Sequence, residues 1–247
     1  MNPILEVQSL SFRYAKAGPM ILDSINMKIE KGSITAIAGL SGCGKTTLAF
    51  CLCGAIPKSL PGIMEGDILL EGRSIREFSL PALSRKIGIV FQDVDNQLFL
   101  PTVEAEIAFA PENLCFRYEE IEETVERVLK TLGIEHLRNQ NPSLLSGGEK
   151  HLAAMASILS LDPEIIILDE ALSQLDSDNR DLIIDRIKLL QREGKTIIVI
   201  DHDLENLMMA DNILLMKDGR IEQRIKAGEN RELLYSKLTD FFLYQNK

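Results

Sequence analysis

Ile34-Thr35-Ala36-Ile37-Ala38-Gly39-Leu40-Ser41-Gly42-Cys43-Gly44-Lys45-Thr46-Thr47-Leu48 is the stretch on which the reading of the whole chain turns. Ile34 to Ala38 is a short apolar run rich in β-branched residues, which reads as a buried strand. It leads directly into Gly39 to Thr46, which matches G-x-x-x-x-G-K-[ST]. Thr47 to Phe50 then continues as a helix that Gly54 and Pro57 stop. Strand, glycine loop and helix in that order are what a phosphate-binding loop requires. Gly39, Gly42 and Gly44 let the backbone close around a polyphosphate with no Cβ in the way. The amides of the loop, Ser41, Cys43 and Thr47 included, and the positive helix end then face the anion. Lys45 reaches the β- and γ-phosphates, and the Thr46 hydroxyl joins a Mg²⁺ shell. A glycine-rich turn with a surface lysine would explain neither flank. This stretch binds a nucleotide.

Composition bounds the rest. A chain of 247 residues can bury one substantial core, alone or with a subdomain. Its net charge of −10 argues against a non-specific nucleic-acid binder and against adsorption to anionic lipid, both of which use basic surfaces. It leaves room for docking onto a basic face of a protein partner. No apolar run is long enough to span a bilayer, and MNPILEVQ has no basic region followed by an apolar stretch, so no secretory leader is read. Cys43, Cys51, Cys53 and Cys115 have neither zinc nor disulfide spacing and read as small reduced residues. Cys43 lies within the phosphate loop, so thiol alkylation is expected to block the nucleotide and the nucleotide to protect the thiol.

In chain order, Leu5, Val7, Leu10, Phe12 and Tyr14 alternate, as does Ile25 to Ile29, and these read as antiparallel strands before the nucleotide core. Tyr14 ends the first of them, where it can stack on an adenine ring or simply pack on its strand neighbours. Asp67 to Leu70 and Ile87 to Phe91 are further strands, the second followed by Gln92. From about Asp93 to Leu161 the pattern turns helical. Glu119 to Leu132 sets Ile121, Val125, Val128, Leu129 and Leu132 on one face, with an acidic first turn and Gly133 beyond its end. Ser146-Gly147-Gly148-Glu149 precedes a helical run from Lys150 to Leu161; it is either a second anion-binding helix start or a plain N-cap.

Ile165 to Leu168 is an uninterrupted apolar strand of the parallel, doubly covered kind, and it ends in Asp169-Glu170. Ligands sit at the carboxyl edge of such sheets. There Asp169 can hold Mg²⁺ through its water shell, and Glu170 can take a proton from an attacking water. Asp181 to Arg192 reads as an amphipathic crossover helix closed by Gly194, leading to the buried strand Ile197 to Ile200 and then Asp201-His202-Asp203. His202 thus reaches the same edge, as a γ-phosphate contact or as a surface histidine. Arg231 to Lys247 reads as a short helical tail.

Together these motifs resemble the nucleotide-binding domain of ABC transporters over essentially the whole chain. GLSGCGKT resembles the Walker A loop, Gln92 the Q-loop glutamine, and LSGGE at Leu145 to Glu149 the LSGGQ signature. IIILDE at Ile165 to Glu170 resembles Walker B, Ser173-Gln174-Leu175-Asp176 the D-loop, and His202 the switch histidine. The resemblance implies an α/β fold: a P-loop NTPase with a RecA-like, mainly parallel core, an N-terminal antiparallel β subdomain and an inserted helical subdomain. One ABC domain would span 1–247, with the core at about 1–92 and 162–230, the helical signature part at 93–161 and a tail at 231–247. It also implies two such domains meeting head to tail, homodimer or heterodimer, each ATP held between one Walker A loop and the opposite signature. Ser146, Gly147 and Gly148 would then serve the partner's ATP. Tyr14 would stack on adenine, Gln92 would sense Mg²⁺, Asp176 would lie by the nucleotide and His202 would meet the γ-phosphate.

Phe91 to Phe99, with Thr102-Val103-Glu104 and Pro111 to Leu114, resembles the Q-loop region of ATPases of energy-coupling-factor importers, which carry vitamins and cobalt or nickel ions. That resemblance implies an integral membrane component docking near Gln92 to Phe99, a substrate-capture membrane protein, and a peripheral position on the cytoplasmic face of the cell membrane. Three features depart from the family pattern: Ala171-Leu172 stands where Pro-Thr is usual, Gln174 stands in place of a small residue, and Lys150-His151 follows LSGGE. The competing classes are a non-transport ABC ATPase of repair or translation and an ATP-dependent regulatory module. Repair members carry a long coiled coil and translation members two tandem cassettes, neither of which is found here. An intact Glu170 argues against a module that holds ATP without turnover.

Overall fold

A computed structural model describes residues 3–173, 175–226 and 231–244. The chain runs β1 (Leu5–Arg13), β2 (Leu22–Ile29), β3 (Ile34–Ala38), α1 (Lys45–Leu52), α2 (Ala55–Lys58), β4 (Ile63–Leu70), β5 (Arg73–Ser74), α3 (Leu80–Ser84) and β6 (Ile87–Val90). It continues α4 (Val103–Asn113), α5 (Tyr118–Leu132), α6 (Gly147–Leu159), β7 (Ile165–Asp169), α7 (Ser177–Arg192), β8 (Thr196–Asp201), α8 (Leu204–Leu207), β9 (Asn212–Lys217), β10 (Arg220–Lys226) and α9 (Arg231–Tyr244). Two sheets result. An antiparallel one is ordered β2-β1-β4-β5, and a six-stranded one is ordered β10-β9-β3-β8-β7-β6. In the larger sheet every pairing is parallel except β9 with β10.

The apolar strands β3, β7 and β8 are continuous because both of their faces are covered. Ile166, Leu168, Ile197 and Val199 face one core, which they share with Val125, Val128 and Leu129 of α5, Leu152 and Met155 of α6, and Ile183 and Ile187 of α7. Ile165, Ile167, Ile198 and Ile200 face the other, with Leu48 and Leu52 of α1 and the inner face of the antiparallel sheet. Alternation along each strand therefore sorts one apolar run into two cores. Leu234, Leu238 and Phe241 of α9 close the first core from the far end of the chain.

Several ends differ from the sequence expectation, each for a local reason. The helix α6 starts at Gly147, not Lys150, because Ser146 and Glu149 form a capping box across its first turn. The helix α7 starts at Ser177, not Asp181, because the Asp176 carboxylate accepts from Asn179 N at 3.0 Å and from Asn179 Nδ2 at 2.7 Å. The strand β6 stops at Val90 because the Phe91 amide donates to the Gln97 side chain instead, at 3.0 Å. Gly133 at φ 71° ends α5, as its sequence position predicts. Gln174 and residues 245–247 lie outside the described residues.

Candidate active site

Parallel pairing brings the carboxyl ends of β3, β7 and β8 to one edge. The loop after β3 wraps that edge tightly. Gly44, at φ 104°, begins α1, and a Cβ there would lie 2.8 Å from the Ile21 carbonyl. A Cβ on Gly39 would lie 2.4 Å from the Met216 carbonyl of β9, so backbone, not side chain, fills both positions. Lys45 is only 5% exposed. Its ammonium donates to the carbonyls of Gly39 at 2.9 Å and Leu40 at 3.2 Å, and lies 3.3 Å from Glu170 Oε1.

Cys43 behaves differently from the expectation set by its place in the loop. Its sulfur turns back toward Gly39 and into the core that holds Leu48 and Met216. Burial pushes its thiol pKa up. The residue is only 8% exposed, so burial hinders alkylation of the thiol. Tyr14 is half exposed; its hydroxyl meets Thr47 Oγ1 at 3.1 Å, and its ring sits edge-on to Phe12 at 4.9 Å. It thus packs on its strand neighbour, and its hydroxyl reaches the first turn of α1.

Asp169, 2% exposed, ends β7. Burial raises its pKa to about 6, against the pull of the adjacent Thr46 hydroxyl. Its Oδ1 is buried with no hydrogen-bond partner. A buried orphan carboxylate oxygen beside a threonine hydroxyl is the donor chemistry a hard divalent cation takes. Among the described residues no three histidine, cysteine or acidic side chains converge on one point, so phosphate and water would have to complete such a shell.

Glu170 follows at φ 51°, a left-handed conformation that a glutamate adopts at an energetic cost. Three bonds hold it there: its amide donates to Ile200 O at 2.8 Å, and its carbonyl accepts from Ser173 Oγ at 2.8 Å and from Ser173 N at 3.3 Å. The strain aims the carboxylate between Lys45 and His202, whose Nδ1 is 3.9 Å from Oε1. Ala171 and Leu172, the departure from Pro-Thr, are buried in the core beneath, so that change is accommodated by packing.

His202 is placed by a residue to which the sequence assigns no role. Asp201, fully buried, accepts from His202 N at 2.7 Å, Asp203 N at 2.9 Å and Asn206 Nδ2 at 2.8 Å. A buried carboxylate at a strand end followed five residues later by asparagine is the signal that could have found it. Gln92 is exposed in the bend past β6, and its side chain makes no hydrogen bond among the described residues.

Ser146, Gly147, Gly148 and Asp176 form a second group at the N-termini of α6 and α7. A Cβ on Gly148 would fall 2.2 Å from Asn179 Oδ1, the asparagine that Asp176 holds. Glycine there lets the two helix starts touch. No hydrogen bond or ion pair among the described residues joins this group to Lys45, Glu170 or His202, so the chain carries two separate groups.

A P-loop fold with a lysine, two carboxylates and a histidine at one sheet edge defines a nucleotide-binding domain that carries groups suited to hydrolysis. Comparison then identifies it further. The ABC transporter family model matches residues 22–173, and the chain belongs to that family as an ABC ATPase. The energy-coupling factor transporter ATP-binding protein EcfA of Pediococcus pentosaceus is 39% identical over 226 residues, covering 90% of this chain and 78% of that protein. The structure of CbiO1 from Clostridium perfringens, part of the ABC transporter complex CbiONQ, superposes with a TM-score of 0.84 at 35% identity, covering 97% of this chain and 93% of that one. A dimeric ATP-binding cassette in a post-hydrolysis state, bound to ADP and Pi, superposes with a TM-score of 0.76 at 26% identity, covering 90% of this chain and 98% of that one. Other relatives are longer: the chain spans 40% of an ABC transporter ATP-binding protein of Caldanaerobacter subterraneus and 44% of one of Methanosarcina mazei.

Proposed function

We propose that the chain is the ATP-hydrolysing subunit of an energy-coupling-factor type importer of a vitamin or transition-metal ion, peripheral on the cytoplasmic face of the membrane. The observation that carries the hydrolytic part is Glu170, strained into place with its carboxylate between Lys45 and His202. There it orients and deprotonates the attacking water while Lys45, the loop amides and His202 hold the γ-phosphate, so positioning and electrostatics supply the catalysis. Tyr14 stacks on adenine. Thr46 and Asp169, with Gln92 from the neighbouring bend, would hold Mg²⁺, which neutralises charge on the phosphates.

The second group fits a head-to-tail pair of ATPases, like or unlike. Ser146 and the amides of Gly147 and Gly148 have no phosphate loop of their own chain to serve, which favours their contacting the ATP held by a partner, with Asp176 at the same junction. ATP then closes the pair, hydrolysis reopens it, and a membrane component converts that motion into import. The division into a core at 1–92 and 162–230, a helical part at 93–161 and a tail follows the same reading. Support for the importer class comes from EcfA and CbiO1. No helix among the described residues is long and apolar enough to cross a membrane, so a separate membrane protein would form the pathway.

Gentle-detergent isolation of the tagged chain from its own membranes tests this. An integral membrane protein and a capture protein co-purifying in fixed ratio, with ATPase activity raised in the complex, is the expected result. Ribosomal or DNA-repair partners alone, or none, would remove the importer reading and leave the ATPase.

A further inference from the structure

We infer that Glu149 tunes the second anion group: its carboxylate engages the Ser146 hydroxyl and amide, so a triphosphate arriving on Ser146 must displace or sit beside a negative charge. This rests on the reading of Ser146 to Gly148 as the contact for a partner chain's ATP. Ser146 Oγ donates to Glu149 Oε2 at 2.7 Å, and Ser146 N donates to the same oxygen at 2.8 Å. The return bond, from Glu149 N to Ser146 Oγ, is long at 3.4 Å. The single hydroxyl proton of Ser146 is thus committed to the carboxylate, not to an incoming phosphate.

No ion pair among the described residues cancels the charge of Glu149, and its cationic neighbour is the titratable His136, which acts only through space. Lys150, the next residue, is engaged 2.6 Å away by Asp95. His151 turns inward to the Gly147 carbonyl at 2.8 Å. Among the described residues Glu149 makes no ion pair, and the bonds from Ser146 hold its pKa below the usual range, so it is ionised at neutral pH. A carboxylate suits the helix start while the site holds no other anion. Once a triphosphate arrives, the same carboxylate becomes a like charge in the first turn.

Glutamine separates the two roles. Its carbonyl still accepts from Ser146 N, so the capping box survives, but the charge is gone. In the full-length chain carrying Glu170→Gln, so that bound ATP is not consumed, dimer formation is followed by sedimentation as ATP is titrated. Glu149→Gln is expected to lower the ATP concentration at half-association by about threefold to tenfold, the scale of one partly screened charge contact. The thermal midpoint without nucleotide should stay unchanged. With Glu170 intact, KM for ATP should fall while kcat holds.

An unchanged ATP midpoint in Glu149→Gln, with Ser146→Ala abolishing association, would overturn the role of Glu149 and leave the composite site standing. If ATP drives no association, or if neither substitution moves it, the composite reading fails and the inference about Glu149 fails with it.

Discussion

Residues at the nucleotide edge divide into those whose chemistry is legible in one dimension and those set by the fold around them. Lys45, Asp169 and Glu170 follow from motif and strand end alone. The strain on Glu170 and the anchoring of His202 by Asp201 and Asn206 depend on contacts across β7, β8 and α8 that no spacing displays. Replacing Glu170 by glutamine keeps its shape but removes the proton acceptor. Steady-state ATP turnover should drop at least ~100-fold while ATP binding persists, the usual scale for losing a general base. Near-normal turnover would remove Glu170 from that role. Cys43 shows the opposite case, where loop position misleads. Buried behind Gly39 with a raised pKa, it should alkylate at least about tenfold more slowly than the exposed Cys115, whether or not ATP is present. Thiol labelling read by mass spectrometry decides this, and fast, ATP-protected labelling of Cys43 would put the sulfur back in the loop hollow.

Elements were legible where period and caps agreed. The helix α5, with its acidic start, apolar stripe and Gly133, needs no tertiary information. The strands β9 and β10 carry no comparable signal: Asn-Ile-Leu-Leu-Met-Lys is apolar but not β-branched throughout, and β10 is a polar edge strand paired on one side. The early start of α6 was equally hidden, since two glycines argue against helix until Ser146 and Glu149 cap them. Burial of the residues that follow, from His151 onward, has a consequence for stability. His151, 5% exposed in the first turns of α6, donates from Nδ1 to the Gly147 carbonyl. Burial holds its pKa below 6.5, against the raising effect of that bond. The unfolded chain therefore takes up a proton near pH 6.5 that the folded chain resists. The contribution of His151 is complete above that pH and declines as pH falls from there toward the folded pKa. Buried Asp169 and Asp201 have raised values and act with the opposite sign at lower pH, so the comparison must be differential. Denaturant titrations of the parent and of His151→Gln at pH 7.5 and 5.5 should show the parent losing more, by up to about 1 kcal/mol. Parallel losses would mean that His151 titrates alike folded and unfolded.

Across the whole molecule, the segment after β6 is what connects the nucleotide edge to an outer surface. Gln97 pins it to β6 through the Phe91 amide and the Ile89 carbonyl, and the buried Glu106 carboxylate accepts from the amides of Phe99 and Leu100. Asp95 in the same segment reaches Lys150 in the first turn of α6, one residue beyond the signature. Side chains therefore lead from the bend at Gln92 to the helix that presents Ser146 to Gly148. Where the segment turns outward, Phe99 is 65% and Phe109 41% exposed, and the rings lie edge to face at 5.1 Å over a pocket of about 240 Å³ that Ile89 and Ile158 also line. Exposed paired aromatics beside an apolar hollow, with the exposed Asp93 and Asp95 earlier in the same segment, suit an apolar segment with a basic flank, which is what the proposed membrane component would present. Phe99→Ala leaves every group at the nucleotide edge in place. Basal ATPase of the isolated chain should hold within about twofold, while affinity for the membrane component falls about tenfold or more, as for loss of a central aromatic anchor. Raising salt should weaken the parent complex further through the acidic flank. Co-purification and ATPase assays on the same preparation separate the two effects. If the complex survives Phe99→Ala unchanged, the partner docks elsewhere, and the Asp95–Lys150 link does not carry its signal to the signature helix.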